Sequence, residues 1–122
     1  MPKPRLKTER IPRRLVKLNV FDETVSESDL AYEVFVLLSR RELEVFLRLS
    51  QGHPTKIIAA DMGLSTRTVD SYRYWVIRKL GLDSIAEEAV LGWRIRKFIP
   101  YLMARCAASA NVLIDNVDNP VG

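Results

Sequence analysis

Apolar residues recur every three to four positions along most of the chain, the period of an α-helix with one buried face. Leu30, Val34 and Leu37/Leu38 mark a helix over roughly 28–38. Ser39 with Glu42 is a capping box: the serine oxygen takes an orphan amide of the first turn, and the glutamate reaches back. It opens a helix that turns Leu43, Phe46, Leu47 and Leu49 inward and closes near Gly52. Pro54 and Thr55 open a short helix closed by Gly63. Ser65 caps another, which runs to Leu80 and stops at Gly81. Ser84 with Glu87 reads as a second capping box and starts a helix toward Pro100, where a kink or an end is expected. Residues 13–21 read equally as a strand or as a helix start. A regular sheet is not expected, and the predicted class is all-α.

The stretch from Thr55 to Tyr74 satisfies the steric pattern of a helix-turn-helix. With Thr55 as the first position, the fifth must be small because the two helices cross closely there, and it is Ala59. The ninth must turn through the left-handed region, and it is Gly63. Ile58, Met62, Leu64, Val69 and Tyr72 fill the positions that join the shared core. An αα-hairpin within a purely structural bundle is the plainer alternative. At about 100° per residue, Val69, Tyr72, Val76 and Leu80 form the inward stripe of the second helix. Arg67, Ser71, Tyr74 and Arg78 form the opposite one. Arginine forks onto guanine O6 and N7 in a major groove, and hydroxyls serve bases or phosphates. A solvated face is the ordinary use of such a stripe, but after a helix-turn-helix it points to the groove. Asp70 sits beside it and repels phosphate, so it either accepts from cytosine N4 or holds a neighbouring arginine.

Charge sharpens this picture. The 122 residues carry a net charge of +4, which favours an anionic partner without naming one. Residues 1–17 hold seven basic side chains against one acid, with Pro2, Pro4 and Pro12 opposing a helix, and read as an extended basic arm. Residues 18–33 are acidic, with Asp22, Glu23, Glu27, Asp29 and Glu33. Residues 38–82 return to eight basic against four acidic side chains. The tail after about residue 106 is small and polar, and is expected to fray.

Several functions are excluded or left without support. The one cysteine, Cys106, rules out an internal disulfide framework and a cysteine zinc site. The one histidine, His53, suits a solvent or cap role better than a ligand role. Cys106 lies among alanines and reads as a small buried residue rather than a redox sensor. The longest apolar run, Val34 to Leu38, is too short to span a membrane. No catalytic set, phosphate-cradling loop or carboxylate pair stands out, so neither an enzyme nor a cofactor is expected.

One family shares these marks. Leu38-Ser39, Arg41-Glu42, Glu44-Val45, Gly52, Lys56, Ile58-Ala59, Gly63, Ser65, Thr68-Val69 and Lys79-Leu80-Gly81 stand in the order and spacing of one module. Residues from about Leu38 to Leu91 thereby resemble the DNA-binding domain of LuxR/GerE-type bacterial regulators. Ser65-x-Arg67-Thr68-Val69, followed by Asp70 and Arg73, looks most like the FixJ branch. Tyr72, Trp75 and Ile85 depart from the histidine, small polar residue and basic residue usual there.

The resemblance implies a four-helix domain that docks its third helix in the major groove. It implies a phosphate contact for Lys56 and base-facing positions for Ser71 and Tyr74. Thr55, Arg67, Arg78 and Lys79 then lie close to backbone or groove. With the cap residues Ser65 and Thr66 and with Asp70, these make the candidate DNA-binding set. The fourth helix, about 84–98, is implied as a dimer interface, so that two copies meet two half-sites.

The expected organisation is a basic arm and acidic linker (1–27), a DNA-binding domain (28–91, recognition helix 66–80), a C-terminal helical extension (92–110) and a tail (111–122). The length leaves no room for a receiver or acyl-homoserine-lactone domain. A stand-alone cytoplasmic regulator acting at the bacterial nucleoid is therefore expected, controlled by abundance, by a partner or by its own flanks. The apolar set Trp93, Ile95, Phe98, Ile99, Tyr101, Leu102 and Met103 is too large to leave exposed. It either packs on the 28–38 helix within one subunit or enlarges a homodimer interface. The arm is a solvated tail, a follower of phosphates or minor groove, or a dock for a protein such as RNA polymerase. Two functions follow: a sequence-specific, dimeric reader of double-stranded DNA, or a co-regulator that keeps the fold and binds polymerase or another regulator.

Overall fold

The computed structural model describes residues 18–109, and the basic arm and the tail after residue 109 lie outside them. The described residues form helices and turns without a strand. The helices are α1 (Glu27–Leu37), α2 (Arg40–Ser50), α3 (Thr55–Met62), α4 (Thr66–Leu80), α5 (Ile85–Arg94) and α6 (Ile99–Ser109). A single 3₁₀ turn, Arg96–Phe98, joins the last two. The helix starts follow local chemistry. Ser26 Oγ accepts from Asp29 N–H at 3.1 Å and opens α1. Ser39 and Glu42 complete both bonds of the capping box on α2. Gly63 and Gly81 end α3 and α4 with φ of +70° and +68°, where a side chain would be strained.

Three local expectations are corrected. Only half of the second capping box forms: Ser84 Oγ accepts from Glu87 N–H, but Glu87 Oε1 accepts from Asp83 N–H, outside the cap. The helix expected to run toward Pro100 instead ends at Arg94. Pro100 lies in the first turn of α6, where its missing N–H costs nothing, and neither kinks nor ends a helix. Residues 18–21 form turn rather than strand or helix, with Phe21 N–H donating to Asn19 Oδ1 at 3.1 Å, while 13–17 lie outside the described residues.

Two apolar clusters share α2 as a common wall. The larger joins Leu30 and Val34 of α1, Leu43, Phe46 and Leu47 of α2, Val76 and Leu80 of α4, and Leu91 of α5. The smaller holds Val45, Ile58, Ala59 and Val69, with Leu49, Met62, Leu64 and Tyr72 packed against it. Val45 is therefore a core residue that one-sided helical spacing passes over, because α2 buries two faces rather than one.

The C-terminal segment joins the larger cluster through Ile95, Ile99, Leu102 and Cys106. Its main neighbour is α2 rather than the 28–38 helix, which it meets where the Arg105 guanidinium lies 5.6 Å from the Phe35 ring centroid. Trp93 and Tyr101 stay exposed, so the segment is only partly used within one subunit.

Residues 18–26 insert Val20 into the larger cluster, with Leu18 and Val25 packed against it, and Leu18 N–H donates to Leu80 C=O; one side chain ties the rest of the segment down. The Arg94 guanidinium donates to the carbonyls of Val20, Asp22 and Val25 and to the Glu27 carboxylate. The same guanidinium keeps the Glu27 carboxyl below its ordinary value. Arg94→Ala is expected to lower stability by about 2 kcal/mol, since three buried-side carbonyls lose a charged donor. Urea unfolding measures the loss, and faster amide exchange confined to residues 20–30 identifies its source.

Candidate nucleic-acid interface

The crossing of α3 and α4 positions the candidate surface. Ala59 is buried at the crossing, and the turn closes through Leu64 N–H to Ala59 C=O at 2.9 Å. Ser65 Oγ accepts from Thr68 N–H at 3.1 Å and bonds Thr68 Oγ1 at 3.0 Å. Ser65 thus holds the start of α4, and its hydroxyl is already engaged. Val69, Val76 and Leu80 are buried and Tyr72 is half-buried, as the inward stripe requires. The opposite stripe, Arg67, Ser71, Tyr74 and Arg78, is exposed over its whole length.

That stripe has internal order. The Arg78 guanidinium lies 5.7 Å from the Tyr74 ring centroid, and Trp75 meets Tyr74 edge to face at 5.1 Å. Trp75 is half-buried, so it braces a tyrosine that is itself 53% exposed. The bracing role of Trp75 was not readable from the helical wheel, although two adjacent aromatics on one helix are a usable sign of it. Thr66 and Asp70 are also exposed, and among the described residues Asp70 makes no ion pair, so it does not hold a neighbouring arginine.

Lys56 is exposed and Thr55 half-buried in the first turn of α3, which opens on Pro54 without a side-chain cap. Lys79 is placed differently from the rest. Its Nζ donates to Glu42 Oε1 at 2.9 Å, so its charge is spent on α2. Its spacing on α4, roughly 120° from the outer stripe, puts it at the edge of the packed face. Arg73 is likewise committed, to Glu88 of α5.

The described residues contain no group of three or more His, Cys, Asp and Glu that could hold a metal ion. Burial pushes the Cys106 thiol up to about 11, so little of the reactive thiolate forms at neutral pH. Among the described residues, no helix is long and apolar enough to cross a membrane.

Comparison with known proteins agrees with this geometry. Residues 36–91 match the family of bacterial regulatory proteins of the luxR type. The transcriptional activator protein ExaE of Pseudomonas putida is 44% identical over 50 residues, which cover 41% of this chain and 23% of that protein. The response regulator UvrY of Escherichia coli is 38% identical over 53 residues, covering 43% and 24%. The oxygen regulatory protein NreC of Staphylococcus epidermidis is 32% identical over 80 residues, covering 66% and 35%. The chain spans about a quarter to a third of the length of these relatives. No solved structure matches it at the same stringency.

Proposed function

Because residues 36–91 form a helix-turn-helix domain of the LuxR family of bacterial regulators, we propose that this chain is itself a sequence-specific transcription regulator that reads duplex DNA as a pair. The observation that carries the reading is the exposed stripe Arg67–Ser71–Tyr74–Arg78 on the second helix of that motif. Its guanidiniums fit guanine edges, and Ser71 and Tyr74 offer hydroxyls at base height. Asp70 accepts from cytosine N4. Lys56, Thr55 and Thr66 serve phosphates. The uncapped, positive end of α3 adds to the phosphate site. Ser65 and Lys79 support the surface from behind, through the cap and the Glu42 pair.

Pairing uses α5 and the segment that follows. Ile85, Ala86, Ala89 and Trp93 lie exposed along α5, and Arg96 stacks on the Trp93 ring at 3.6 Å from its centroid. Aromatic and arginine side chains of this kind are favoured anchors of protein interfaces. A homodimer across this face presents two α4 helices to inverted half-sites. The acting compartment is then the bacterial cytoplasm.

Selection of bound duplexes from a random pool, at physiological salt, tests the reading. Two inverted half-sites at a defined spacing are expected. A single enriched half-site would remove the dimer. Salt-sensitive binding without enrichment would favour a co-regulator that binds polymerase or another regulator.

A further inference from the structure

The candidate recognition helix is held from both sides of its packed stripe. Lys79 and Arg73 sit at opposite edges of α4, each roughly 120° from the outward stripe. Lys79 ties one edge to α2 through Glu42. At the other edge, Arg73 Nε donates to Glu88 Oε1 of α5 at 3.0 Å, and Nη2 lies 2.9 Å from the same oxygen as an ion pair. Glu88 is only 3% exposed, and its other oxygen, Oε2, is buried without a hydrogen-bond partner. Burial raises the Glu88 carboxyl above its ordinary value, against the pull of Arg73.

Such a pair is a poor source of stability. Desolvating the carboxylate offsets much of the attraction, and replacing both partners by apolar side chains of similar volume is often neutral or stabilising. What the pair adds is direction. Apolar contacts tolerate small rotations of one helix against another, whereas a charged N–H donor aimed at one buried oxygen does not. The opposite face of α5 carries the exposed Ala86, Ala89 and Trp93, roughly 100–160° around the helix from Glu88. The pair therefore stands directly between the reading helix and the face available to a second copy.

We propose that Arg73 and Glu88 form a positioning strut that sets the orientation of α4 against α5, and through it the half-site spacing that a dimer accepts. This rests on the paired DNA-reading function above. Neither side chain belongs to the outward stripe, so the strut acts on register and not on base contacts.

The test measures binding of the full chain to duplexes that carry two selected half-sites at a series of spacings, and to an isolated half-site. Glu88→Gln and Glu88→Leu are compared with the wild type. The wild type is expected to prefer one spacing. Both variants are expected to flatten that preference by about fivefold or more, with isolated half-site affinity unchanged within about twofold. Arg73→Lys, which keeps the charge without the fork, is expected to restore part of the preference relative to Arg73→Gln. Both Glu88 variants leave Arg73 without its partner and are expected to melt below the wild type while remaining folded at the assay temperature, which circular dichroism checks. An unchanged spacing profile in either folded variant overturns the strut. A wild type without any spacing preference overturns the paired reading itself, and this is visible before any variant is made.

Discussion

Replacing Lys56 and Arg67 by alanine is expected to abolish selective DNA binding while leaving the fold intact. Both side chains are exposed, so neither supports a core. Arg67 stands on the outward stripe of α4. If it forks onto a guanine, its loss costs about 1–3 kcal/mol and relaxes discrimination at one base position. Lys56 sits in the first turn of α3, where a phosphate contact carries no sequence information. Its loss is expected to weaken all duplexes alike and to lower the salt slope by about one counterion. Fluorescence anisotropy against a selected duplex, repeated over a salt series, separates the two effects. Lys79→Ala provides the contrast. Its ammonium is paired with Glu42, so it is expected to lower the melting temperature with the salt slope unchanged. If Arg67→Ala binds every selected duplex as tightly as the wild type, base reading by this stripe is wrong.

The second large effect is expected at Gly92, where α5 crosses the end of α2. A Cβ built there would lie 2.4 Å from Ser50 Oγ and 2.9 Å from Ser50 Cβ. Alanine is the better helix former by about 1 kcal/mol, so intrinsic propensity alone predicts that Gly92→Ala stabilises. The close approach reverses the sign. Ser50 Oγ is anchored to Phe46 C=O at 2.9 Å, and Phe46 is fully buried in the larger cluster, so the crossing has little room to open. A net loss of about 1–3 kcal/mol is expected in urea unfolding, the usual cost of overpacking. Adding Ser50→Gly removes both close atoms and leaves Ser50 Cα at an ordinary 3.5 Å. The double variant is therefore expected to recover most of the loss apart from the helix propensity of the new glycine. A stabilised Gly92→Ala would mean that the two helices slide apart more easily than their packing suggests.

Ser39–Glu42 and Ser65–Thr68 are bonds between residues three apart, and their outcome is set before any tertiary contact forms. The half-formed box at Ser84 marks the limit of that rule. Asp83 N–H lies only one residue further from Glu87 than the cap amide, and it captured the carboxylate. The outward stripe of α4 was legible for a related reason, since helical period fixes which side chains share a face once the start and stop are known.

Lys79 is fixed by a residue far away in the chain. Its place in the motif resembles a DNA contact, yet the helix wheel puts it at the packed edge, and Glu42 lies 37 positions away in the chain. The sequence by itself determined α1 to α4, the caps at Ser39 and Ser65, the helix-turn-helix and the exposed outward stripe, because each follows from neighbours within a turn or two. The tertiary structure decided what those helices lean on. The Arg73–Glu88 pair, the Arg94 clamp on residues 20–27 and the seating of α6 against α2 all depend on crossing angles between helices. Those angles come from the fit of whole faces, to which each apolar residue adds a contact without a direction, so no local spacing announces them.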